Sequence, residues 1–169
     1  MNDKAFQINN SPVCIKFAKI PKFMCNKNDK TYFDFVKIVE FYNMGIHVDM
    51  NNHKLSFDIP ELYDHTIRRI CDEWLINNYD VARAEFLIFT LDDTGKVVQD
   101  AVYAPSCDLR SFTKLSQEKT TETDDSKSTI EQAMYKLEFG THFCRTSMVF
   151  SLAQEYVDKC NMIMGQSSI

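Results

Sequence analysis

Alternating hydrophobic and polar residues predict β-strands in the first 60 residues of the chain. Such alternation is typical of strands with one buried face, and it occurs at three places, namely 13–18, 46–50 and 55–59. Residues 32–42 are rich in Phe, Val and Ile, which favour pleated sheet, so we interpret this run as a further strand. The N-terminal part of the chain is therefore predicted to be β-rich.

The pattern changes to a helical period after Pro60. Apolar residues recur three and four positions apart, with charged residues between them, at Ile67, Ile70, Cys71, Trp74 and Leu75. Pro60 suits the first turn of a helix, because that turn does not use its missing N–H. The only Trp of the chain lies on the apolar face, so we expect this helix to pack on the sheet and cover the core.

A β-hairpin is the clearest pattern in the second half of the chain. Apolar runs at 84–91 and 96–104 flank Asp92–Gly95, whose composition suits a tight turn. Residues 105–108 predict another turn because they begin with proline. The wholly polar stretch 116–128 predicts either a solvated loop or the tip of a long hairpin.

The chain closes with a predicted strand at 129–139 and a long helix at 141–164. Apolar residues of that helix recur at spacings of three and four, at Val149, Leu152, Ala153, Tyr156, Val157, Cys160 and Ile163. The order of elements predicts an α+β fold, mainly an antiparallel β-barrel or sandwich with one packed helix and a C-terminal helix. We divide it into an N-terminal arm at 1–10, a β domain at 11–140, and a C-terminal helix and tail at 141–169.

Composition and charge narrow the class of protein. The 169 residues are 44% hydrophobic and 25% charged, with a net charge of -5, as expected of one acidic, soluble domain. A protein that binds nucleic acid by neutralising phosphates would show a basic excess. No apolar run is long enough to span a membrane, and the first residues lack the pattern of a signal peptide.

Neither a cofactor nor a metal is expected from the motifs. The four glycines are isolated, so no phosphate-binding loop is present. The six cysteines form no CxxC pair, and we expect free, mostly buried thiols. Lys16, Lys19 and Lys22 form one of two basic clusters, and such a cluster is typical of a strand edge protected by charge.

We expect no enzymatic activity. The Asp92–Asp93 pair is better explained by its turn than by catalysis. The four histidines are scattered over different elements, and no Gly-x-Ser-x-Gly elbow occurs. A catalytic triad assembled by tertiary contacts stays open, because chain order does not constrain one.

Between Lys54 and Phe139 the order of elements resembles the tail-tube family of contractile phage tails and related injection machines. The resemblance is carried by five segments in sequence, namely the strand Leu55–Ile59, the helical segment Ile70–Leu75, the hairpin with Asp92–Lys96, the corner Tyr103–Leu109 and the closing strand 130–139. It covers about half of the chain. Two features depart from a plain tube subunit, namely the long polar segment 116–128 and the C-terminal helix. The helix is more similar to tube-like proteins that cap or initiate the tube at the baseplate.

The resemblance implies a structural virion protein. Members of the family form hexameric rings in which strands of each subunit join a continuous inner barrel, and DNA passes through the lumen without specific binding. The implied partners are further copies of the chain and other tail, baseplate or sheath proteins, and the implied location is the virion tail, assembled in the host cytoplasm. The candidate assembly contacts are Leu152, Tyr156 and Cys160 on the C-terminal helix, with Glu122 and Asp124 in the polar segment.

Another class of protein fits the same pattern. A small β-rich binding module, encoded by a phage and docking on a host protein, would show the same aromatic content and edge strands. An oligomeric ring would favour the tube, and a monodisperse monomer would favour the binding module.

Overall fold

The computed structural model describes residues 13–25, 30–61, 65–77, 79–123 and 126–167, so the predicted arm at 1–10 lies outside it. In chain order the elements are β1 Val13–Lys19, α1 Lys22–Cys25, α2 Lys30–Phe41, β2 Met44–Asp49, β3 Lys54–Pro60, α3 Thr66–Ile76, α4 Tyr79–Ala82, β4 Ala84–Leu91, β5 Val98–Thr123, β6 Ser126–Gly140 and α5 Ser147–Ser167. The strands form one antiparallel sheet in the order β1-β4-β5-β6-β3-β2. The predicted α+β class is confirmed.

Strand β5 divides the sheet into two halves because it changes partner midway. Up to Cys107 it pairs with β4, and from Asp108 it pairs with β6. The turn predicted at 105–108 is therefore wrong, since the strand continues through it. Pro105 is accommodated because it lies where the β4–β5 register shifts, and a bulge needs no ladder N–H from it.

The sheet curls strongly around its main core. The ring centroids of Phe57 on β3 and Phe86 on β4 are 6.1 Å apart, although β5 and β6 lie between these strands. In a flat sheet, strands three positions apart would be separated by about 14 Å. The curl does not close, because β1 and β2 each pair on one side only. The predicted barrel is thus wrong, and the fold is an open, curled sheet.

Helix α3 covers the main core, as expected from its apolar face. Trp74 is 2% exposed, its ring centroid lies 5.3 Å from that of Phe139, and its indole N–H donates to the carbonyl of Ala82 at 2.6 Å. The helix begins at Thr66 and not at Pro60, which ends β3. The carboxylate of Glu61 accepts a hydrogen bond from a first-turn N–H at 2.9 Å, which satisfies a free donor of the helix end.

The strand predicted at 32–42 is wrong, because these residues form α2. The buried residues Tyr32, Phe35, Ile38 and Val39 are spaced as on one helical face. Asp34, Lys37 and Glu40 recur every three residues between them, which is also a helical period. The aromatic and β-branched content favoured a strand, but burial of this apolar stripe against the core outweighs that preference.

Helix α5 packs on the other face of the first half of the sheet. Val149, Ala153 and Val157 are buried in a second apolar cluster with Leu87 and Phe89 of β4. Because its other face contributes to the main core, β4 is buried on both sides. The helix begins at Ser147, later than predicted, since the preceding segment forms a backbone bridge from Cys144 to Tyr103.

The polar segment 116–128 is a hairpin and not a loop. Strands β5 and β6 stay paired as far as Thr123 and Ser126. We call residues 116–123 and 126–133 the ribbon, because these two strands extend past the last β3 pair, Pro60 with Met134. Of the two predicted forms, the long hairpin is the one observed.

Replacing Trp74 with Ala should lower the free energy of unfolding by about 3–5 kcal/mol, because it leaves a cavity between α3 and the sheet. Trp74→Phe, which keeps an aromatic ring, should cost less. Ile76→Ala is the matched control, since Ile76 lies on the same helix and is exposed. Urea unfolding, monitored by circular dichroism, measures the stability of the three variants. Equal midpoints for Trp74→Ala and Ile76→Ala would contradict the packing described here.

Candidate functional site

The free edge of β1 is the first candidate assembly surface. The N–H of Phe17 points away from β4 and donates to the carboxylate of Glu40 at 2.9 Å. Alternate residues of a strand direct their backbone groups to the same edge, so those of Val13 and Ile15 point outward too. Among the described residues these groups have no hydrogen-bond partner on that side. Two residues of the edge are therefore available to another strand.

A groove of about 350 Å³ runs along this edge. The last turn of α2 and the following residues form one side, and the C-terminal half of α5 forms the other. The lining residues come from four elements and two connecting segments, and they include Cys14, Ile15, Lys16, Glu40, Phe41, Asn43, Phe89, Gly95, Tyr156, Val157, Cys160 and Asn161. An extended segment paired with β1 would direct its side chains alternately to the two sides.

Besides the carboxylate of Glu40, the groove is lined by one cationic residue, Lys16. Its ammonium lies 3.6 Å from the centroid of the Tyr156 ring, close enough for a cation–π interaction. Burial, and then a hydrogen bond with Cys160, raises the pKa of Tyr156 to about 12. Burial also raises the pKa of Cys14. Both groups stay neutral near pH 7, so neither Cys14 nor Tyr156 supplies an anionic nucleophile there.

The three candidate contacts predicted on α5 lie on two different surfaces. Tyr156 and Cys160 are half-buried in the groove. Leu152 is 48% exposed, and it faces outward with Met148, Met162 and Ile163 as an exposed apolar stripe. The apolar spacing in the sequence places these three residues on one face, because apolar residues recur over much of the helix surface. In the structure the buried residues of the helix are Val149, Ala153 and Val157.

The ribbon is the second candidate assembly surface. Glu122 pairs in register with Lys127, while the predicted contact Asp124 lies outside the described residues. Strand β4 stops pairing at Cys107 and β3 at Met134. Within the described part of the chain, both long edges of the ribbon are thus unpaired, apart from the carbonyl of Ala133, which accepts from the N–H of Glu61 at 2.9 Å. Such edges template association with other strands.

The second half of the sheet has an open polar face. One row across the strands contains His47, Ser56, Glu138 and Ser111, and the Ser111 hydroxyl donates to Glu138 at 3.1 Å. The next rows add acidic and basic groups in near balance, namely Asp49, Asp58, Asp108, Lys54 and Lys136. Burial raises the pKa of Asp58, and the nearby Lys136 opposes that rise. The face offers no continuous basic track for a phosphate backbone.

The Asp92–Asp93 pair serves the turn, as predicted. The Asp92 carbonyl accepts from the N–H of Gly95 at 3.0 Å, where φ is 71°. Its carboxylate accepts from the hydroxyl of Thr94 at 2.7 Å, and this hydrogen bond lowers the pKa of Asp92. These bonds hold Asp92 within the turn.

One contact between two histidines was not predicted from the sequence. The rings of His53 and His142 lie 4.6 Å apart, because the N–H of Thr141 donates to the His53 carbonyl at 2.9 Å. Nothing in the spacing of two histidines 89 positions apart indicates this contact. In the described ranges no three His, Cys, Asp or Glu side chains are grouped to hold a metal ion.

The cysteines are less buried than predicted. Cys71 and Cys107 are buried, Cys14 and Cys160 are intermediate, and Cys25 and Cys144 are exposed. The prediction of mostly buried thiols is therefore wrong, because β1 is an edge strand and Cys144 precedes α5 in a surface segment.

Comparisons with known proteins identify no relative. No family model matches the chain, and no curated protein is similar to it. Across the described ranges, no helix combines the length and hydrophobicity that crossing a membrane would require.

Glu40→Ala should lower the free energy of unfolding by about 1–2 kcal/mol, because the partly buried N–H of Phe17 then loses its acceptor. Glu40→Gln should cost less, since an amide oxygen still accepts. The control is Glu155→Ala, which removes only the exposed pair with Lys159. The urea midpoints of unfolding of the three variants are compared with that of the wild-type chain. An unchanged midpoint for Glu40→Ala would contradict this capping role.

Substitutions at two neighbouring positions of α5, Ala153 and Leu152, test which face of the helix is buried. Ala153→Asp should destabilise the chain by about 3–5 kcal/mol, because it puts an unpaired charge into the second apolar cluster. Leu152→Asp should leave stability nearly unchanged, because Leu152 lies on the exposed stripe. Thermal unfolding measures both, and a Leu152→Asp chain that fails to fold would contradict the orientation of the helix.

Proposed function

We propose that this chain is a structural protein of a phage tail that assembles with copies of itself into rings. The rings form or cap the inner tube, and DNA passes through their lumen without specific binding. The observation that carries the proposal is the open sheet, which curls but ends in two free edges, β1 and β2. A subunit of this kind completes its sheet beside a neighbour, which is what the resemblance to tail-tube proteins implies.

The two free edges lie at opposite ends of the strand order. If β1 of one copy pairs with an unpaired strand on a different surface of the next copy, each subunit uses different surfaces for its two neighbours. Such head-to-tail contacts close into rings when the rotation between subunits allows it. The outward backbone groups of Val13 and Ile15 support this arrangement, because an unpaired edge otherwise favours uncontrolled association.

Electrostatics support a lumen that does not retain DNA. The net charge of the chain is -5, and the open polar face mixes carboxylates with lysines. A surface without a basic stripe releases few counterions on meeting DNA, so binding stays weak. We therefore assign the polar face of β2, β3 and β6 as the side turned toward the lumen.

The exposed stripe on α5 supports a further partner in the tail. Met148, Leu152, Met162 and Ile163 are exposed along one helix, outside the packing on β4. A baseplate or sheath protein would cover such a stripe, in line with a location in the virion tail after assembly in the host cytoplasm. Leu152→Asp should then form rings but fail to join that partner.

The experiment that tests ring formation is negative-stain microscopy with light scattering over a range of concentrations. We expect ring-shaped or tubular oligomers at high concentration, or on mixing with an initiating ring of the tail. The reason is that strand-edge pairing is intermolecular and depends on concentration. A chain that stays monomeric at every concentration, with and without candidate tail proteins, would contradict the proposal.

The groove beside β1 favours one alternative function. A binding module could use it to add an extended segment of a host protein to the sheet. Phe41, which is 73% exposed at the groove, would then contact that segment. A monodisperse monomer that captures an extended host peptide would support this alternative over the tube.

A further inference from the structure

We propose that the ribbon of one copy docks on the β1 edge of the next copy, inside the groove between α2 and α5. The inference rests on the proposed self-assembly and specifies the contact that produces it. The groove is the acceptor and the ribbon is the donor, and both belong to the described part of the chain. The contact extends the sheet of one subunit with strands of its neighbour.

The backbone of the two surfaces is compatible in length and in free groups. Because Glu40 caps Phe17, the open part of β1 is Val13–Lys16, which spans about 13 Å, and each ribbon strand of eight residues is long enough to pair along all of it. Val13 and Ile15 direct unpaired groups outward, and the ribbon strands pair with neither β4 nor β3. Pairing would therefore satisfy groups on both sides.

Charge favours the ribbon as the occupant. The ribbon contains three glutamates and two lysines, so its formal net charge is -1. The acceptor edge carries Lys16, which lines the groove, and Lys19, which is exposed at the end of β1. Opposite charges across an interface guide encounter and fix register.

The contact is specific because Glu40 already occupies one end of the edge. Its bond to Phe17 restricts pairing to the part of β1 nearer Val13. The Tyr156 ring holds Lys16 within the groove, where an acidic ribbon meets it. An uncharged strand would gain the backbone bonds but not the charge pairing, so the groove discriminates between partners.

Charge reversal tests the contact from both sides. The ribbon variant carries Glu118→Lys and Glu122→Lys, and the edge variant carries Lys16→Glu and Lys19→Glu. Each alone should reduce the fraction of chains in oligomers about 10- to 100-fold, because like charges then face each other. Circular dichroism and urea unfolding check that each variant is folded. Arg69→Glu with Asp72→Lys, at exposed positions of α3 outside the groove lining, is the matched control and should assemble normally.

Two combinations make the test specific. An equimolar mixture of the two variants offers two complementary contacts, the unchanged ribbon on the unchanged edge and the reversed ribbon on the reversed edge, so rings of alternating variants should form although neither variant forms them alone. A chain with all four substitutions has complementary charges again and should recover rings. Light scattering and microscopy distinguish these products.

A disulfide provides a second measurement. In a background of Cys25→Ser and Cys144→Ser, which removes the exposed thiols, Thr121→Cys should crosslink to Cys14 of a neighbouring copy under mild oxidation. Asp80→Cys, at an exposed position of α4 outside the groove lining, is the control and should not crosslink. Peptide mapping of the product identifies the bridge.

Each outcome has a definite meaning. If the wild-type chain assembles but the ribbon and edge variants assemble equally well, the inference is wrong while the proposed function stands. If assembly survives both variants but is lost on removal of residues 1–12, the N-terminal segment is the occupant and the inference is overturned. A wild-type chain that never assembles overturns both.

Discussion

The contact between Phe57 and Phe86, across two intervening strands, is the constraint on which the rest of the structure depends. Phe139 packs against both rings, at 5.6 and 5.3 Å between centroids. Trp74 of helix α3 packs against Phe139 in turn. Burying these aromatic side chains together requires the sheet to curl, and β5 provides the curl by changing partner at Cys107. Because large aromatic side chains contribute much of the stability of a core, the backbone adopts the curl that brings these rings together.

The same curl explains why the sheet has two free edges. A sheet of six strands that must enclose α2 and α3 together with the aromatic rings has no room to bring β1 against β2. The helices fill the opening, and the edges remain at the surface. An edge that is neither paired nor covered is a liability for a soluble chain. In this protein the carboxylate of Glu40 and the lysines of β1 partly protect it.

Local patterns predicted the strands and α3, but not the features that depend on contacts distant in sequence. Alternation located β1, β2 and β3, because one side of each faces the core. It failed for α2, where the three-residue period of Asp34, Lys37 and Glu40 was outweighed by the aromatic and β-branched content. The bulge at Pro105 depends on the register with β4, and the groove joins Cys14, Glu40 and Tyr156 from three separate elements. No local pattern contains that information.

The interplay of Glu40 and Lys16 links stability to association. Full protection of β1 would satisfy every outward group and make the monomer more stable, but it would leave nothing for a partner strand. Full exposure would admit any strand and favour aggregation. Capping Phe17 alone leaves the groups of Val13 and Ile15 open, while Lys16 biases the groove toward an acidic strand. Since specificity is a difference between affinities, a half-protected, charged edge discriminates between partners better than either extreme.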